Sequence, residues 1–421
     1  RPAANRYINE YIERLKGKPY KALHPALGSI LDESCGIMCY QDDVCKVAVA
    51  AAGFSSGEAD AVRKALSKRD AKERLPAFEK RFRDGAAARG LDEKTITDLW
   101  DMICSFSGYS FVKAHSASYA MLSFQSAWLR RHRPAEFMAA VISNRGGYYS
   151  TLAYTSEARR MGLRILPPDV NKSVLACRGR GKSLRFGLGM IASLEKSTAE
   201  AILKARASKG PFKSLDDFAL RVKTDRTEAE ALVGSGAMDE LPGAPAREGK
   251  LMALLSAQAA RENASAVGQG ELFATEAIPP SHKNGYTEKP SEPGRKRRME
   301  GQMRYLGTSL EEHPLFLYPE AMRKKRCLGM DLSKHAGQRV RLLAWPIASK
   351  SALTSAGEEM KFVSFEDESA LYESVFFPDS YRRFERLLYM DLPLFIEGWV
   401  ETNYGAASLS VENAEIAIKK F

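Results

Sequence analysis

Three cations stand close together in the stretch Ser55-Ser-Gly-Glu-Ala-Asp-Ala-Val-Arg-Lys-Ala-Leu-Ser-Lys68: Arg63, Lys64 and Lys68. Arg63 and Lys64 are adjacent, and Lys64 and Lys68 share a helical face by their four-residue spacing. Taken alone, the group reads as a solvated helix face on which Asp60 pairs with Lys64. A second pair, Lys113 and His115, lies in Tyr109-Ser-Phe-Val-Lys-Ala-His-Ser-Ala-Ser-Tyr119. A lysine can act as a point charge on phosphate, and a histidine can donate to phosphate or shuttle a proton. Tyr109, Phe111 and Tyr119 beside them either stack on bases or pack in a core, and the core is the commoner fate. Asp42-Asp43 and Asp216-Asp217 are adjacent carboxylate pairs. The first sits in a Tyr-Gln-Asp-Asp surface turn and the second at a helix start, so both read as turn and cap rather than as metal ligands. Six cysteines are scattered with no CxxC pair, and no Cys or His cluster has zinc spacing. Free thiols in that pattern fit a reducing cytosol.

These residues need a scaffold, and the chain is long enough to build several. Its 421 residues, 44% hydrophobic and 27% charged, predict two to four globular domains and exclude a wholly disordered chain. The net charge of +11 makes a polyanion a plausible partner. No apolar run is long enough for a membrane helix, and the first residues, Arg1-Pro-Ala-Ala-Asn-Arg6, lack a signal peptide's apolar core. A cytoplasmic protein is expected, and the missing initial Met suggests an excised fragment. Residues 1–165 read as helical. Ser55 and Glu58 form a capping box, a longer helix covers Ser118 to Arg131, and Pro134 opens another. Residues 166–245 hold short helical units, with starts at Ser197-Thr-Ala-Glu200 and Ser214-Leu-Asp-Asp217 and an end at Gly234-Ser-Gly236. Residues 246–335 read as a Pro- and Gly-rich connector with basic helices. In 336–421 the period changes to two. Arg339–Trp345, Met360–Phe365, Leu371–Phe377, Leu394–Val400 and Ser408–Val411 are five strand candidates, enough for a small barrel of the OB type.

Several stretches then resemble one family. They include Gly36-Ile-Met-Cys-Tyr-Gln41, Ala52–Lys68, Gly108–Tyr119, Pro134-Ala-Glu-Phe-Met138, Leu166-Pro-Pro-Asp-Val-Asn171, Gly210-Pro-Phe-Lys-Ser-Leu-Asp-Asp-Phe218 and His313-Pro-Leu315. Over most of its length the chain is similar to the bacterial DNA polymerase III alpha subunits. The resemblance implies a multidomain, mainly α protein with a C-terminal all-β OB-fold barrel. Its domains would be fingers (1–165), tandem helix-hairpin-helix units (166–245), a connector with a clamp-binding motif (246–335) and the OB-fold (336–421). It also implies a DNA-directed DNA polymerase, a nucleotidyltransferase, as the activity of the parent chain.

The resemblance assigns roles residue by residue. Arg63, Lys64, Lys68, Lys113 and His115 would contact the incoming deoxynucleotide triphosphate, whose departing pyrophosphate needs fixed cations. The family's palm motif of clustered aspartates is not matched anywhere in this sequence. Catalytic residues and most contacts to Mg2+ are therefore expected outside this segment, which alone should bind DNA without extending a primer. Hairpins of the helix-hairpin-helix type let backbone N–H groups approach a phosphate at a helix start. Lys196 would serve the first, Gly187–Lys196, where Ser193-Leu-Glu195 replaces the usual Gly-Val-Gly. Gly234 and Gly236 would serve the second, read at Ala231–Asp239. Lys361 and Phe362 in the barrel, with Phe365, Tyr372 and Tyr404, are candidates for single-stranded template. Gln269, Leu272 and Phe273 resemble the peptide by which clamp-bound proteins dock on a sliding clamp. Primer-template DNA, deoxynucleotide triphosphates, the clamp and other replisome subunits are thus the implied partners, with no membrane. The alternative is a non-catalytic DNA-binding adaptor that keeps the polymerase scaffold.

Overall fold

The structure, a computed structural model, describes residues 7–22, 24–66, 71–105, 112–242, 247–266, 292–390, 392–403 and 405–417. Its contacts divide the chain into two units, 1–127 and 128–421.

In the first unit, start and stop signals in the sequence become helices. They are α1 (Tyr7–Leu15), α2 (Pro25–Leu31), α3 (Gln41–Ala52), α4 (Ser56–Leu66), α5 (Ala71–Ala87), α6 (Glu93–Cys104) and the beginning of α7 (Lys113–His132). The capping box forms: Glu58 N–H donates to Ser55 Oγ at 3.2 Å, and Ser55 N–H to Glu58 Oε2 at 2.7 Å. Each bond satisfies a donor that a bare helix end would leave orphaned. The core helix is α3, which buries Val44, Val47, Ala48 and Ala51 against α2, α4 and α5. Its small residues permit close packing, and α5 answers with a glycine. A Cβ on Gly85 would stand 2.1 Å from the Ala52 carbonyl oxygen, so no larger residue fits. Phe54, Phe82 and Trp100 fill the remaining volume with tilted ring contacts.

The second unit opens with α8 (Pro134–Asn144), its proline at the first helical position, and α9 (Thr151–Arg160). A small sheet follows, of β1 (Arg164–Leu166), β2 (Arg178–Arg180) and β3 (Ser183–Arg185), in the order β1-β3-β2. Then come α10 (Lys196–Lys209), α11 (Leu215–Arg221), α12 (Arg226–Ser235), α13 (Arg247–Ala266), α14 (Glu292–Leu306) and α15 (Pro319–Met322). The start read at Ser197 lies slightly late, since α10 begins at Lys196 with Glu195 as its N-cap. The segments Leu166–Asn171 and Gly210–Phe218 clasp each other. Asn171 accepts from the Phe212 N–H at 2.7 Å and donates to the Phe212 carbonyl at 2.9 Å, imitating a strand pair. Arg206 donates to the carbonyls of Val170 and Ser173, tying α10 to the same loop.

The tail closes into a barrel of β4 (Arg339–Leu353), β5 (Glu359–Glu366), β6 (Leu371–Phe376), β7 (Leu394–Asn403) and β8 (Ala406–Ile416), in the order β4-β5-β6-β8-β7. Four of them contain the strands read from the period-two pattern, and β6 ends at Phe376, one residue short of the strand read at Leu371–Phe377, because Phe377 caps the helix that follows. The β6–β8 pair is parallel and the others are antiparallel. Between β6 and β7 runs α16 (Pro378–Leu388), which lays Tyr381 and Phe384 onto the barrel core. This is a five-stranded barrel of OB type beside a mainly helical body. Among the described residues no helix is long and apolar enough to cross a membrane.

Candidate functional site

Two distant parts of the first unit meet at the start of α3. From α4, Arg63 donates through Nη1 to Gln41 Oε1 at 3.1 Å and through Nε to Asp60 at 2.9 Å. From α7, Lys113 pairs with Glu33, its Nζ 5.8 Å from the centre of the Tyr40 ring. Tyr40 is the N-cap of α3 and Gln41 its first residue. Two cations separated by fifty residues in sequence thus converge on one helix start, where the backbone already carries partial positive charge. Lys46, one turn into α3, adds its field at both Glu33 and Asp43.

Lys64 and His115 occupy different positions. Lys64 lies along Asp60 at 2.7 Å with a largely exposed side chain. Asp60 holds both Lys64 and Arg63, and these hydrogen bonds bring its pKa below the usual carboxylate value. His115 stacks on Tyr119, one helical turn on, with ring centroids 4.5 Å apart. Two helical residues turn the direction by about 200°, so His115 and Lys113 leave opposite sides of α7. Lys68 lies outside the described residues, as do Tyr109 and Phe111.

Asp43 orders the turn that carries this cluster. Its Oδ2 accepts from the N–H groups of Cys39 (3.0 Å) and Tyr40 (2.9 Å). Burial raises its pKa above the ordinary 3.8, an effect only partly offset by those two bonds. A carboxyl raised on folding costs stability as pH climbs from its unfolded pKa through its folded one, because the unfolded chain gives up its proton first, and the cost is constant above that. Asp43→Asn keeps an acceptor for both N–H groups without the charge. The variant is expected to lose less stability than the parent sequence between about pH 4 and pH 7. Urea melts across that range check it, and parallel curves would refute it.

In the second unit the two hairpins are built differently from the sequence reading. Lys196 opens α10 with an exposed side chain, 3.7 Å from Glu200. Gly234 and Gly236 do not precede a helix; they end α12. A Cβ on Gly234 would stand 2.4 Å from the Tyr305 ring, so this glycine makes the crossing of α12 and α14 possible. Gly236 is the left-handed C-cap, with φ 88°. A helix end presents carbonyls, and no backbone N–H there is aimed at a phosphate. The turn that does lead into a helix is 222–225, ahead of α12. The reading of Ala231–Asp239 as the second hairpin is corrected accordingly.

Residues 1–90 match the family model described as bacterial DNA polymerase III alpha subunit finger domain, and residues 162–248 match the helix-hairpin-helix motif. The chain is 32% identical to the DNA polymerase III subunit alpha of Thermus aquaticus over 416 residues, covering 95% of this chain and 34% of the relative. It is 30% identical to that of Aquifex aeolicus over 425 residues (100% and 34%) and 29% to that of Vibrio cholerae over 430 residues (99% and 37%). The chain belongs to the bacterial DNA polymerase III alpha subunit family. It spans about a third of the length of these alpha-subunit relatives.

Within this alpha-subunit chain the barrel candidates separate. Neighbours on a strand face opposite ways, and in β5 Lys361 turns inward while Phe362 is exposed. The Lys361 ammonium donates to the Tyr389 hydroxyl at 3.1 Å and lies 4.2 Å from that ring's centre. The ammonium draws the Tyr389 phenol pKa downward. Lys361 and Phe362 therefore form no common surface. Phe365 and Tyr372 fill the barrel core, and Tyr404 lies outside the described residues. Gln269, Leu272 and Phe273 also lie outside them. No three His, Cys, Asp or Glu side chains among the described residues are grouped to hold a metal ion. The described residues do not form a metal centre. Sequence reasoning missed Gln41 and Glu33 as partners of the cations; no local pattern marks either.

Proposed function

We propose that this chain forms the nucleotide- and DNA-holding side of a cytoplasmic DNA-directed DNA polymerase. The observation that carries it is the meeting of Arg63 and Lys113 at the positive start of α3. A triphosphate seated there exchanges the carboxylates of Asp60 and Glu33 for its own oxygens. The guanidinium and ammonium then face charge that grows on the departing pyrophosphate, and a fixed cation is worth most where charge develops. Lys64 adds an exposed charge beside Asp60, Lys68 is proposed as a further phosphate contact, and His115, on the opposite side of α7 from Lys113, takes no part in this seat. The carboxylates that hold Mg2+ come from another part of the parent chain. The helix-hairpin-helix region follows the duplex backbone without reading bases, with Lys196 at its edge, and the barrel tracks single-stranded template. Gln269, Leu272 and Phe273 dock on the sliding clamp, and other replisome subunits assemble with the parent.

Equilibrium titration of the 421-residue chain with a deoxynucleotide triphosphate, in the presence of primer-template, tests the core of this reading. Binding that pyrophosphate displaces, without primer extension, is the expected result. Absence of triphosphate binding with retained DNA binding would favour the adaptor reading instead. Primer extension by the chain alone would remove the assignment of the carboxylates to another part.

A further inference from the structure

At the first hairpin, one of the N–H donors at the helix start is already occupied. The Glu195 N–H, at the start of α10, donates to Glu228 Oε1 at 3.2 Å. The other oxygen of Glu228 accepts from the Asp225 N–H at 3.2 Å, and Asp225 Oδ1 accepts from the Glu228 N–H at 2.8 Å. One carboxylate, only 5% exposed, therefore bridges the starts of α10 and α12. Two further features act the same way. Ser193 holds φ at 64°, a left-handed conformation that glycine adopts without strain, so a side chain is forced onto the tip of the turn. The Glu195 side chain is exposed beside it, held by Ser197 Oγ at 3.1 Å, where it repels an approaching polyanion.

We propose that the first hairpin is closed to the DNA backbone by the protein's own Glu228 carboxylate. The carboxylate takes a bond that a phosphate at this helix start would take. A phosphate could take that donor only by displacing the carboxylate. Glu228 would then be left buried and short of a donor, and that loss opposes the exchange. The closure also explains why the absence of glycine is tolerated: a turn that never meets a backbone phosphate needs no close approach. This inference rests on the proposed DNA-holding role and subtracts one phosphate from its contact set.

Two measurements on the 421-residue chain test it. The first is duplex affinity against salt, for the parent sequence and for the combined variant Ser193→Gly, Glu195→Gly, Glu228→Gln. Glutamine at this position still supplies one acceptor for the capping box. Opening the seat should steepen the slope of log K against log salt by about 0.9, the value of one added phosphate contact on B-DNA. An unchanged slope in a variant of unchanged helicity would overturn the proposal. The second needs no variant. The Glu195 amide should exchange slowly with solvent deuterium in the free protein, with no added protection when duplex binds. Fast exchange in the free protein, or protection that appears only with DNA, would equally overturn it. A parent sequence that binds no duplex even at low salt instead removes the DNA-holding reading, while the free-protein exchange result still decides the closure.

Discussion

Replacing Arg63 with alanine in the parent polymerase is expected to lower kcat for nucleotide incorporation by about 10²–10³-fold, the usual effect of removing one preorganised donor from a developing charge. The size follows from placement. The Arg63 side chain is mostly sheltered, and its bond to Gln41 at the start of α3 keeps it aimed once a triphosphate has displaced Asp60. It therefore needs no reorganisation when charge moves onto the leaving group. Lys64 is the internal comparison. It is the neighbouring residue with the same charge, yet its side chain is 64% exposed and, among the described residues, pairs only with Asp60. Lys64→Ala should cost no more than a few-fold, expressed mainly in KM, because a solvated ammonium is screened and binds ground and transition states alike. The split between kcat and KM separates a residue that acts on the transition state from one that merely attracts substrate. Equal effects of the two substitutions would show that the sheltered geometry does not matter. A thermal melt of each variant guards against simple loss of the bond to Gln41.

The sequence made some of this legible and not the rest, for physical reasons. The five barrel strands alternate β-branched and aromatic residues with period two, a signal that survives without knowledge of partners. Ser55 with Glu58, and Ser214 with Asp217, announce helix starts because the capping bonds are local. By contrast, β1, β2 and β3 have three residues each, too few for any period to register. The meeting of Arg63 with Lys113 depends on the turn Cys35–Tyr40, which Asp43 organises through two backbone bonds. No spacing rule reports such a turn. Gly234 and Gly236 misled because glycine serves hairpin tips and helix ends equally. Only the partner, here Tyr305 some seventy residues on, decides between them. Lys361 is a similar case. A lysine on a strand reads as outward, but two tyrosines near the barrel's helix receive its ammonium on the inner side.

The largest stability effect is expected at Glu366, where the barrel is joined to the helical body. This residue ends β5 and has no exposed surface, and its carboxylate meets three side chains from outside the barrel. Ser156 Oγ donates to Oε1 at 3.1 Å and Arg160 Nη1 to Oε2 at 3.5 Å, both from α9. His313 Nε2 stands 3.2 Å from Oε1. The other imidazole nitrogen, Nδ1, accepts from the Leu315 N–H, so in the neutral ring the proton sits on Nε2. Glu366→Ala removes the shared acceptor and leaves Arg160 and His313 without their carboxylate. Breaking a buried ionic group by deleting one partner costs about 3–5 kcal/mol, against 0–1 kcal/mol for an exposed pair such as Arg382 with Asp379. Glu366→Gln, which keeps the volume and one acceptor, should cost less. The readout is built in. Trp345 pairs with Glu366 across β4 and β5 and lies 6.3 Å from the His313 ring, while Trp100 belongs to the first unit. With each tryptophan in turn as the sole emitter, denaturant curves should shift at Trp345 and stay put at Trp100. A loss below about 1 kcal/mol at Trp345 would mean that the barrel is held by its apolar contacts with Leu315 and Tyr318 alone, and that the charge contributes nothing net.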